Sequence, residues 1–256
     1  MSDILTEENY RSAENEKKYM TYSQFSSFME CEAAALAGIE GTWKMSTTPS
    51  MLVGLYVEAL LNGTEMIFKS QHPEMFKKTG DCGLLKEYAI AEQMVERVKK
   101  DEVFMSFLKG KQQDIRTGEI CGVPIKTKTD YLIEGERIVD LKTVKNFELQ
   151  WNGKSKVPFI ESYKYDIQAA FYEATQEKYI PYYIAAITKE AVTDYDILEI
   201  PYDAIDNARG IVERLIERYA DIKEHKIEPT RCECCDYCKK TKKLKGPTNY
   251  LDKKWS

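Results

Sequence analysis

The chain has 256 residues, 43% apolar and 31% charged, which suits a globular protein with a sizeable core and excludes a low-complexity or fibrous one. No apolar run reaches the ~18 residues of a membrane span, and the polar start lacks the basic-then-apolar layout of an export signal, so a cytoplasmic protein off the membrane is expected. The formal charge of −5 weighs mildly against nucleic-acid binding without deciding it, because cations are unevenly spread.

Residues 1–20 read as a flexible tail. Ser23 is the expected N-cap of a helix through Phe25, Phe28 and Ala37 that stops at Gly38. A second helix is expected over about 50–61, ended by Asn62-Gly63. Residues 84–100 follow with Leu85, Tyr88, Ala89, Val95 and Val98 at helical spacing, and Asp101 caps a short successor to Leu108. From Gln112 to Val144 the pattern turns strand-like, with turns expected at Thr117-Gly118 and Glu134-Gly135. A helix over about 160–179, strands over 182–188 and 195–200, and a helix over 202–225 complete the series. This order predicts an α/β fold, a central mixed sheet flanked by helices. Residues 21–228 would form that unit, with 229–256 as a Cys- and Lys-rich segment packed on it.

The hairpin over 122–144 carries the chemistry. Counted about Gly135, cross-strand partners have numbers that sum to 270, which sets Asp130 against Asp140, Lys128 against Lys142 and Leu132 against Ile138. Thr129, Tyr131, Ile133, Val139 and Leu141 take the other face. Two ionised carboxylates ~5 Å apart repel by about 3 kcal/mol at an effective dielectric near 20. A cation between them removes that cost, and a hard divalent ion such as Mg²⁺ takes one or two carboxylates plus water and phosphate oxygens. Lys142 would then stand beside the ion, able to orient or deprotonate water and to stabilise charge on a phosphate. These residues alone leave open an exposed hairpin with surface ion pairs.

Asp130, Asp140-Leu-Lys142, and Gln168-xxx-Tyr172 about 26 residues further on resemble the RecB-like branch of the PD-(D/E)xK nucleases, and within it the RecE-like exonucleases of phages and prophages. The resemblance runs from about Tyr22 to Leu244 and implies a restriction-endonuclease-like core and a metal-dependent DNA exonuclease acting on duplex ends. It implies that Asp130, Asp140 and the Leu141 carbonyl hold Mg²⁺ or Mn²⁺, that Lys142 serves the attacking water, and that Gln168 and Tyr172 hold the substrate strand. An upstream G-xxx-H/E pattern supplies a further ligand in the family; Gly54 and Glu58 match it here, where many relatives have His. Glu58 lies in an otherwise apolar stretch, which fits a buried carboxylate in need of a partner. Glu119 is a weaker carboxylate candidate. The resemblance further implies recombination work with a single-strand annealing protein and a ring-like homo-oligomer. An endonuclease of restriction or repair type on the same fold, and a non-catalytic DNA-binding module, stay open.

Cys232, Cys234, Cys235 and Cys238 are four of seven cysteines, and without an export signal their spacing points to metal or cluster ligation rather than disulfides. Several RecB-like nucleases hold an iron–sulfur cluster with one cysteine before the core and three after it. By that resemblance Cys31, Cys232, Cys235 and Cys238 would bind a [4Fe–4S] cluster or structural Zn²⁺; reduced free thiols are the alternative. Cys82 and Cys121 read as incidental, partly buried thiols, and His72 and His225 as structural. Lys239, Lys240, Lys242, Lys243 and Lys245 could track a phosphate backbone or form a solvated tail.

Overall fold

The computed structural model describes residues 4–44, 48–80, 82–244, 246–247 and 249–251; Lys245 of the basic run lies outside them. Among the described residues five helices come first: α1 (Ala13–Lys18), α2 (Tyr22–Glu30), α3 (Glu32–Ile39), α4 (Pro49–Asn62) and α5 (Glu65–Gln71). After a 3₁₀ turn come α6 (Lys86–Val98) and α7 (Glu102–Phe107), then strands β1 (Lys111–Ile120), β2 (Val123–Ile133) and β3 (Arg137–Val144). A short ribbon, β4 (Gln150–Trp151) and β5 (Lys156–Val157), leads to α8 (Phe159–Ser162) and α9 (Tyr165–Glu173). Strands β6 (Tyr182–Thr188) and β7 (Tyr195–Ile200), then α10 (Tyr202–Lys223) and α11 (Asp236–Lys240), end the fold.

One mixed sheet runs β1-β2-β3-β6-β7. β3 and β6 are parallel, joined by a crossover through α8 and α9, and the other neighbours are antiparallel. Because side chains alternate along each strand, the sheet feeds two cores. Leu132, Ile138, Ile184 and Ala186 pack with α2, α9 and α10, while Tyr131, Val139, Ala185 and Ile187 pack with α4 and α6. The long α10 presents Ile205, Ala208, Val212, Ile216, Tyr219 and Ile222 as one buried stripe. Among the described residues no helix is long and apolar enough to cross a membrane.

Five expectations need correction. The segment taken for a loose tail carries α1 and packs on β2, with Met20 bridging to Ile125. The reason is Lys126: fully buried in β2, its ammonium needs acceptors, and Glu16 (3.0 Å) and the Tyr10 carbonyl supply them. The helix expected from Ser23 to Gly38 is capped by Thr21 and breaks at Cys31, whose extended backbone (φ −162°, ψ 107°) turns its thiol toward the C-terminal cysteines. No turn forms at Thr117-Gly118. β1 continues through it, Gly118 being needed because a Cβ there would lie 2.8 Å from the Ala174 carbonyl oxygen. The chain reverses instead at Cys121-Gly122, both left-handed (φ 50° and 76°), as a two-residue hairpin loop requires. Cys121 and Cys82 (φ 51°) thus sit in tight local geometry and are exposed, not partly buried. The helix expected over 160–179 is split into α8 and α9 by a left-handed Lys164 (φ 59°).

Candidate active site

The hairpin register about Gly135 holds for Ile133–Arg137, Leu132–Ile138 and Tyr131–Val139, and there the ladder stops. Beyond it Asp130 does not pair through its backbone. Its carboxylate Oδ2 accepts the Leu141 backbone N–H at 2.9 Å, so the side chain itself fastens β2 to β3. On β3, Asp140 is buried, and Gln168 Nε2 of α9 donates to its Oδ1 at 2.8 Å. Asp140 Oδ2 meets the Lys142 ammonium in a charge-assisted ion pair. Lys142 also lies over the Tyr165 ring, 5.0 Å from its centroid. Tyr172, one turn after Gln168, donates to the Lys128 carbonyl at 2.7 Å.

Glu58 arrives from the opposite face of the sheet on α4. Gly54, one turn earlier, lets that helix approach β3: a Cβ there would stand 3.1 Å from Thr143 Oγ1. Glu58 Oε1 accepts from Gln113 Nε2 at 2.7 Å, and the same amide reaches Asp130 Oδ1 at 3.4 Å. Gln113 is left-handed (φ 52°) within β1, where the ladder pairs Gln112 with Tyr131 and Asp114 with Thr129 and skips the step between. Such a backbone is strained for a glutamine, and strain of this kind gathers at functional sites. Sequence reasoning missed Gln113, since nothing in its type or neighbours signals a left-handed strand residue.

These groups line one cleft of about 1320 Å³, together with Tyr22, Tyr163, Arg11, Lys128, Lys145 and Lys189. Glu119 lines no part of it; it is exposed, paired with Pro124 at the far end of β1. Leu141 is in the lining. His72 bonds Glu74 and His225 meets Glu40, both away from the cleft.

The electrostatics follow from burial of like charges. Asp130 is pushed up to about 7, first by burial and then by Asp140. Burial raises Glu58 as well, with Lys128 opposing. Burial also works against the charge on Lys142, yet Asp140 and Asp130 outweigh it and hold that amine above the ordinary lysine value. Three carboxylates around one cleft, two of them held toward their neutral forms, are a donor set suited to a hard divalent cation. The Lys142 ammonium and the Gln113 amide partly answer the negative charge.

A second donor set stands outside the cleft. Cys31, Cys232, Cys235 and Cys238 have all their sulfurs within 4.8 Å of one another. Cys31 and Cys238 are buried with Ala33 in a small core of their own. The segment carrying the last three is fastened nearby: Ala33 donates to the Thr230 carbonyl at 3.1 Å, and the Thr230 N–H donates to Glu32 Oε2 at 2.7 Å. Cys234 is exposed, as are Lys239, Lys240, Lys242 and Lys243, with the Lys240 ammonium over the Trp43 ring.

A family model described as a PDDEXK-like domain of unknown function (DUF3799) matches residues 21–241. The crystal structure of a "putative exonuclease" from Eubacterium rectale is 33% identical over 97% of each chain, with a TM-score of 0.91. The crystal structure of SSO0001 aligns at 14% identity over 84% of this chain and 92% of its own, but its TM-score of 0.31 carries no weight. None of the curated proteins matches. With a family model over residues 21–241 and a well-matched relative of nearly equal length, the chain belongs to the PDDEXK-like DUF3799 family, within the PD-(D/E)xK nuclease superfamily.

Proposed function

We propose that this protein is a divalent-metal-dependent deoxyribonuclease that hydrolyses phosphodiester bonds from duplex ends. The observation that carries the reading is the meeting of Glu58, Asp130, Asp140 and Lys142 in one cleft, with Gln168 fixing Asp140. Family membership and the likeness to the Eubacterium rectale protein support nuclease chemistry. Residues 21–228 make up the proposed nuclease domain, and 229–256 a segment packed on it.

Asp130, Asp140 and Glu58 would hold Mg²⁺ or Mn²⁺, with the Leu141 carbonyl as a further ligand. When bound, the ion acidifies water and draws negative charge from the scissile phosphate. Lys142, kept protonated by its two aspartate neighbours, acts as a cation: its Nζ orients the attacking water and stabilises charge on the phosphate. Gln168 and Tyr172 bond Asp140 and the Lys128 carbonyl, so their assigned part is to position the two acidic strands rather than to grip DNA. Arg11, Lys128, Lys145 and Lys189 around the cleft suit phosphate contacts. The motif resemblance to RecE-like enzymes supports end resection for recombination, a homo-oligomer and a single-strand annealing partner.

An end-labelled linear duplex tests the reading. Label release with Mg²⁺, none with EDTA, and a ~10²–10³-fold slower Lys142→Ala variant are expected. Cleavage of closed circles as fast as linear DNA would favour the endonuclease. DNA binding with no divalent-dependent cleavage would leave only a binding module.

A further inference from the structure

The spacing of the cysteine quartet identifies what it can hold. Cys31 and Cys238 have their sulfurs 3.6 Å apart, Cys232 and Cys238 3.9 Å, and no pair among the four exceeds 4.8 Å. A single tetrahedral ion with metal–sulfur bonds of about 2.3 Å sets its ligand sulfurs about 3.8 Å from one another. A [4Fe–4S] cubane instead places each thiolate on a different iron corner, which spreads the sulfurs to roughly 6 Å. The iron–sulfur cluster implied by the RecB-like resemblance therefore does not fit: every pair would have to open. Backbone donors also hold the sulfurs in place, Cys235 N–H on Cys232 Sγ at 3.3 Å and Cys238 N–H on Cys235 Sγ at 3.4 Å. Such outer bonds orient thiolate ligands. The fifth nearby thiol, Cys234, is exposed and outside the quartet.

We infer that Cys31, Cys232, Cys235 and Cys238 bind one Zn²⁺, in place of a [4Fe–4S] cluster, as a staple between the α2–α3 joint and the C-terminal segment. Thiolate ligands in a closed tetrahedral set are the ordinary structural zinc site, with no open position for chemistry. The ion locks the chain break at Cys31, where the backbone leaves the helix and no side-chain cap replaces the lost bonds. It also bears on the cleft through α2, whose Tyr22 hydroxyl donates to the Tyr163 carbonyl at 2.6 Å. The inference rests on the cysteine geometry and is independent of the nuclease reading.

The test is metal analysis of the full chain, purified without oxygen from cells supplied with both iron and zinc. One zinc per chain, no acid-labile sulfide and a colourless protein are expected. Cys31→Ser should reduce zinc to a small fraction of one per chain and lower the melting temperature. If that variant does not fold, native mass spectrometry of the unaltered protein decides on the bound mass alone. Asp140→Asn should keep its zinc whether or not it cleaves DNA, which separates this site from the nuclease reading. Iron with labile sulfide and a brown chromophore, or no stoichiometric metal, would overturn the inference.

Discussion

Asp130 is the residue on which the site turns, because one carboxylate does two jobs. Its Oδ2 fastens the Leu141 N–H, and its other oxygen faces the Gln113 amide and, through it, Glu58. With its pKa raised to about 7, the fold favours its neutral form relative to an ordinary aspartate. The linkage has a definite sign. The neutral form's contribution to stability is complete below the ordinary carboxylate range and is lost as pH rises through about 7. A divalent cation needs the ionised form, so proton and metal compete. Apparent Mn²⁺ affinity should fall by up to about tenfold per pH unit below 7 and level off above it, followed by titration calorimetry from about pH 5.5 to 8. A flat profile would show that Asp130 is not a ligand.

Among the elements, α4 and the hairpin decide whether the carboxylates meet. Gly54 sets the closeness of α4 to β3 and thereby the reach of Glu58. Gly54→Leu should push the helix outward, cost about 1–3 kcal/mol by overpacking, and weaken Mn²⁺ binding several-fold. Gly54→Ala asks Thr143 Oγ1 to give only a few tenths of an ångström and should change binding far less. Equal effects on binding would mean that Glu58 does not depend on this approach. The hairpin was legible in the sequence because Glu134-Gly135 fixes its register and apolar residues alternate on both strands. The left-handed Gln113 and the break at Cys31 were not legible, since each is set by groups distant in sequence: Glu58 for one, Cys232 and Cys238 for the other. Gly118 read as a turn for a similar reason, its glycine being required by the Ala174 carbonyl rather than by a reversal.

For the whole molecule, the cleft lies where two cores share one sheet. α4 brings Glu58 from one face, α9 brings Gln168 and Tyr172 from the other, and β2 and β3 carry the aspartates between them. The sheet order and its flanking helices followed from the run of strand and helix periods. The fastening of the N-terminal segment did not, because Lys126 looks like an ordinary polar position until it is buried under Glu16 and Tyr10. Lys128 meets Glu7 at 2.6 Å, so that segment also borders the cleft. All of this matters for function only if a cation sits between the acidic strands. Anomalous diffraction from crystals soaked in Mn²⁺ measures that directly. One strong peak is expected, ~2.2 Å from carboxylate oxygens of both Asp130 and Asp140, with its loss in Asp140→Ala. Mn²⁺ bound elsewhere, with these two aspartates still held only by Leu141, Gln168 and Lys142, would contradict it.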